Sequence, residues 1–149
     1  MFTILLIVHV LGAVFLVGPL AVLPMLGLRE IRNARAAGVA AIARSTRLFG
    51  LLSIVVLVVG FGLLSTSHDK HPATIATPWV AASVIIFVAA ISLILLVTVP
   101  SLAIEAARLA EPAAGSSESR TRAYRRVAAS SGVAALGLVA ITVLMVWQP

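Results

Sequence analysis

Residues 2–26, 48–64, 79–99 and 127–147 contain no Asp, Glu, Lys or Arg. Each stretch comes close to the roughly 20 residues that a helix needs to cross the hydrocarbon core of a bilayer. In hydrocarbon, a backbone must satisfy its own hydrogen bonds, and a helix does so within one segment. The pattern therefore predicts an all-α, four-helix transmembrane bundle, with 1–149 forming a single transmembrane domain. The shortest stretch, 48–64, is expected to extend by a turn at one or both ends. Two polar connections also read as helical. Both 28–43, rich in Ala and Arg, and 101–111 are expected to continue the helix before them, the second stopped by Pro112. The Pro-Ala-Ala-Gly-Ser-Ser run at 112–117 reads as a turn or short linker.

Composition agrees. Hydrophobic residues make up 61% of the chain and charged ones 11%, against about 25% in soluble domains. So few charged groups do not cover a water-facing surface. The chain has no cysteine, which excludes disulfides, thiolate metal sites and a thiol nucleophile.

The placement of charge gives a direction. Arg29, Arg32, Arg35, Arg44 and Arg47 lie between the first two stretches, and Arg108, Arg120, Arg122, Arg125 and Arg126 between the last two. The middle connection holds only Asp69 and Lys70. Ten of the eleven basic residues thus occupy alternate loops, which the positive-inside rule places in the cytoplasm. Both termini are then expected outside, in a bacterial plasma (inner) membrane. Trp79 and Trp147 fall at the outer interface, where an aromatic belt is expected. The N-terminus lacks a basic region, so the first helix is not expected to be a cleaved signal. The net charge of +6 reads as arginines set at anionic lipid headgroups, carried by Arg29, Arg32, Arg35, Arg44, Arg47, Arg120, Arg122, Arg125 and Arg126. No aromatic residues are interleaved as nucleic-acid binding would ask, so nucleic acid is not an expected partner.

Candidate chemistry is sparse. His9 is the only ionisable side chain within the four stretches, and an ionisable group in hydrocarbon is a functional hypothesis by default. It lies roughly 10 Å in from the outer end. One reading is a hydrogen bond to a hydroxyl or carbonyl of a neighbouring helix, with Ser53, Ser83, Ser92, Ser130, Ser131 and Thr142 as possible partners. The others are ligation of haem iron and proton transfer. His68, Asp69 and His71 stand within four residues and are a candidate divalent-metal set, read more simply as a solvated loop. Ala128/Gly132, Ser130/Ala134 and Ser131/Ala135 form small-xxx-small pairs that let helices approach closely. A shift of 76 positions pairs Pro24, Leu26, Arg32 and Arg44 with Pro100, Leu102, Arg108 and Arg120, the mark of a possible duplicated helical hairpin.

The run from His9 through Val10, Leu11 and a mid-helix glycine to Pro24 resembles the opening of small four-helix bacterial membrane proteins related to the HemJ-type protoporphyrinogen oxidase. The resemblance implies a b-type haem with His9 as axial ligand. The chain departs from that family at Met25, where an arginine is usual, and in 79–99, which has no basic residue. It also lacks that family's mid-helix tryptophan. No nucleophile–base pair, phosphate loop or intramembrane carboxylate pair is present, and catalysis is not expected of the chain. A small-solute or metal permease would need a polar path that the sequence does not display. The expected role is an accessory or structural subunit of a larger membrane complex, in a respiratory-chain assembly, built with other membrane subunits. The alternative is a small haem b protein of electron transfer or haem metabolism.

Overall fold

The computed structural model describes residues 1–66, 74–111 and 117–147, and among these it is helical with no strand. Four helices are each long and apolar enough to cross a membrane: α1 Phe2–Arg32, α2 Ala36–Thr66, α3 Pro78–Ala110 and α4 Ser117–Trp147.

All four reach past the charge-free stretches at the arginine-rich end. The first connection differs from expectation. Leu28 to Arg32 does continue α1, but Ala36 onward belongs to α2. A turn at Asn33–Arg35 divides them. Ala34 donates to the Ile31 carbonyl (3.1 Å) and Arg35 to the Glu30 carbonyl (3.1 Å), the paired bonds of a Schellman motif. Such a motif needs a left-handed residue, and Ala34 supplies it at φ 53°. Glycine is the usual occupant because a Cβ costs roughly 1–2 kcal/mol there. Ala34→Gly is therefore expected to raise stability by about 1 kcal/mol, read as a higher midpoint in thermal or denaturant unfolding. A fall would mean that the strain is absent.

The other ends follow simpler rules. Pro78 opens α3, where its missing N–H is no loss, after an extended Thr77 whose hydroxyl accepts from the Thr74 amide at 2.9 Å. Glu111 is extended, as a residue before proline prefers, and ends α3 where the sequence places Pro112. Inside α1 and α3, single π-helical turns at Ala13–Val17 and Ile94–Thr98 each finish two residues before a proline, Pro19 or Pro100. Proline has no N–H and its ring crowds the carbonyl four residues back, which a widened turn relieves. These turns are in register at a shift of 81, whereas the sequence echo pairs Pro24 with Pro100.

Packing concentrates in the arginine-rich half. One cluster joins Leu20, Phe87, Ile91, Ile94, Ala134, Leu138 and Ile141 near the middle of the bundle. A second, nearer the arginines, joins Ile31, Val39, Ala43, Leu102, Ala106 and Val127. Gly27 lets α1 meet both neighbours: a Cβ there would stand 2.9 Å from Leu102 and 3.2 Å from Ile42. Toward the other end, the bundle separates into pairs. The first sixteen residues of α1 pack on α2, and the first sixteen of α3 pack on α4. Contacts between the two pairs come mainly from the inner lengths of α1 and α3.

Candidate functional site

Three places carry polar chemistry. The first is the arginine-rich end. Ending α1 at Arg32 and starting α4 at Ser117 brings Arg29, Arg32 and Asn33 opposite Tyr124, Ala128, Ser131 and Gly132. Between them lies a cavity of about 610 Å³, with Met25 and Leu28 completing its wall. A second, of about 510 Å³, lies between α1 and α2 and shares Arg29 and Asn33, adding Glu30 and Arg35. The Glu30 carboxylate there lies over Gly38, in the space that a Cβ would take. Arg29, Arg32, Arg35, Arg44, Arg47, Arg122, Arg125 and Arg126 are exposed and Arg120 is half-buried. The sequence-predicted arginines thus share one end of the bundle, but only Arg29, Arg32 and Arg35 line these two cavities.

The second place is one that sequence reasoning passed over. Glu105 is only 2% exposed, although it lies beyond the charge-free stretch and reads as a loop charge. Its Oε2 atom is fully enclosed and accepts no hydrogen bond among the described residues. Among the described residues it has one ion-pair contact, Arg108, at 4.0 Å and half-exposed on the next turn. Along α3, Thr98, Ser101 and Glu105 are all buried at spacings of three and four, so they share one face. Thr98 and Ser130 exchange a 2.8 Å hydrogen bond between α3 and α4. On α2, Thr46 carries a buried hydroxyl with no hydrogen bond among the described residues. A polar seam therefore runs through the packed half of the bundle. The signal available in the sequence was the Thr98–Ser101–Glu105 periodicity, which crosses the boundary that charge counting drew.

The third is His9. Its Nδ1 lies 3.1 Å from the Val56 carbonyl, so Nδ1 carries the proton and donates. The partner is thus a backbone carbonyl of α2 and none of the six hydroxyls considered. Gly60, one turn along α2, receives the ring: a Cβ there would stand 3.1 Å from His9 Cε1. Gly12, one turn along α1, receives Val56 in return, with a Cβ at 2.9 Å from its Cγ2. The two helices interlock through a histidine, a valine and two glycines, and this leaves no space for a porphyrin between them. His9 lines neither of the cavities at the arginine-rich end. His68, Asp69 and His71 lie outside the described residues, and among the described residues no cluster of three His, Cys, Asp or Glu is placed to hold a metal.

Four apolar helices of spanning length, with polar groups gathered at one end and along one internal seam, define an integral membrane helical bundle. Residues 3–149 match the family model described as predicted integral membrane protein (DUF2269), and the chain belongs to that family. No curated protein and no solved structure matches it.

Proposed function

We propose that this chain is a non-catalytic subunit that packs into a larger assembly in a bacterial plasma membrane, with both termini outside. The observation that carries the reading is the outer length of α1. It is locked to α2 at His9 and Gly12, yet residues 2–17 include none that is buried, and Phe15, Val14 and Ile4 stand more than half exposed. In lipid, helices associate through close packing rather than through the hydrophobic effect. A rigidly held helix length with one neighbour is a surface on which a further subunit gains such packing at little cost in ordering. The respiratory-chain setting draws on the resemblance of the first helix to haem-metabolising membrane proteins.

The test is recovery of tagged protein from native membranes in mild detergent, with mass spectrometry of the intact particle. Stoichiometric co-recovery of other membrane subunits is expected. Recovery of the chain alone, or only as copies of itself, overturns the proposal.

A second reading, haem b ligated by His9, rests on the tautomer. With Nδ1 donating to a carbonyl, the lone pair sits on Nε2, as it does behind many metal-ligating histidines. The porphyrin would have to lie on the side away from α2. The absorbance of the same purified particle decides it: a Soret band lost in His9→Ala supports haem, and none in the native protein removes it.

A further inference from the structure

We propose that the cavity between α1 and α4 is a site for one anionic phospholipid, its phosphate held by Arg29 and Arg32 and one acyl chain lying along Ala128 and Gly132. The reading is independent of any partner subunit.

Charge is the first argument. Arg29 and Arg32 stand one turn apart on α1, both exposed, and neither side chain has an ion pair or hydrogen bond among the described residues. Glu30, the nearest acid in sequence, faces Gly38 and the other cavity. Two guanidinium groups on one wall, with no acidic side chain among the described residues that line it, leave the cavity in want of an anion. Asn33 and Tyr124 add neutral donors at its rim, and Tyr124 has no hydrogen bond of its own among the described residues.

Shape is the second. The volume of about 610 Å³ falls within the range of small-molecule sites. Below the arginines, its wall turns apolar. Gly132 has no heavy atom within 4 Å of the place where a Cβ would stand, so α4 carries an open furrow there. One turn further into the apolar stretch, Leu136 is exposed and continues that furrow toward the bilayer centre. A free phosphate would use the arginines and leave the furrow empty. A phospholipid uses both, with its phosphate at headgroup depth and its chain on the helix.

Native mass spectrometry of delipidated protein, titrated with phosphatidylglycerol or phosphatidylcholine, tests the site. One tightly held phosphatidylglycerol is expected, with phosphatidylcholine markedly weaker. The Arg29→Gln/Arg32→Gln pair should weaken it on the order of thirtyfold, from about 1 kcal/mol per arginine. Gly132→Leu fills the furrow without altering charge, and should weaken binding as well. Arg44→Gln/Arg47→Gln removes the same charge from outside the cavity and should leave binding within about twofold. All these positions are exposed or open, and unfolding midpoints close to the native one are expected. Equal loss from the two arginine pairs would show diffuse attraction and overturn the site. So would equal binding of phosphatidylcholine. Displacement by inorganic phosphate, with Gly132→Leu inert, would make it a phosphate site and overturn the lipid.

Discussion

Replacing Glu105 with methionine is expected to make the bundle more stable, by about 1–4 kcal/mol. A carboxylate taken out of solvent loses several kcal/mol of solvation, and recovers it only when charges and hydrogen bonds surround it closely. Glu105 has little of either. Among the described residues, one carboxylate oxygen is enclosed with no donor, and the one ion-pair partner is 4.0 Å away at the limit of the interaction. That partner, Arg108, has nearly half its side chain in solvent, which screens the attraction further. Methionine keeps the length and unbranched shape while removing the charge, and its flexible thioether adapts to the space beside Leu102 and Ala106. Equilibrium unfolding of the purified protein in detergent measures the difference. A loss of 1 kcal/mol or more would show that the carboxylate has an interior partner, such as bound water, and the account of the seam given above would fall. A gain has a consequence for function. Glu105, with Thr98 and Ser101 on the same face of α3, would then be the first place in which to seek an activity.

The spans were legible because lipid leaves the backbone a single solution, and a charge-free run of about 20 residues announces it. What lay beyond the runs was less so. The Asn33–Arg35 turn is built on a left-handed alanine, and Asn33 was the only residue there with any leaning toward that conformation. Composition saw an Ala- and Arg-rich helix where the chain reverses. His9 stood out as the one ionisable group in the apolar stretches. Its acceptor did not, because every residue has a carbonyl and side chains alone distinguish positions in a sequence. The trace it left was Gly60, a glycine in mid-helix with no turn to serve. Glu105 was missed for a different reason. Counting charges draws a membrane boundary where the first one appears, whereas burial here is decided by the neighbours that α3 meets past that boundary. The arginines were found by their number, but which of them share a cavity depends on where α1 ends and how it lies against α4.

Gly12→Leu is expected to cost about 1–3 kcal/mol and to detach the outer length of α1 from α2. The first added carbon alone would stand 2.9 Å from Val56 Cγ2, and Val56 is β-branched and buried, with little freedom to turn aside. Three more carbons follow it. Because that length of α1 packs on α2 and on no other helix to any extent, the easiest relief is for α1 to tilt away. Tilting stretches the 3.1 Å bond from His9 to the Val56 carbonyl, so the steric change and the loss of the hydrogen bond are one event. His9→Ala by itself should cost less, about 0.6 kcal/mol and at most roughly 1.7, as interhelical hydrogen bonds in membranes do. The double variant should then cost clearly less than the sum of the two, since the second substitution removes a bond that the first has already broken. Strict additivity in unfolding measurements would mean that His9 and Gly12 hold α1 independently. In that case the interlock is not the clamp, and the rigid α1 surface on which the accessory reading rests would lose its physical basis.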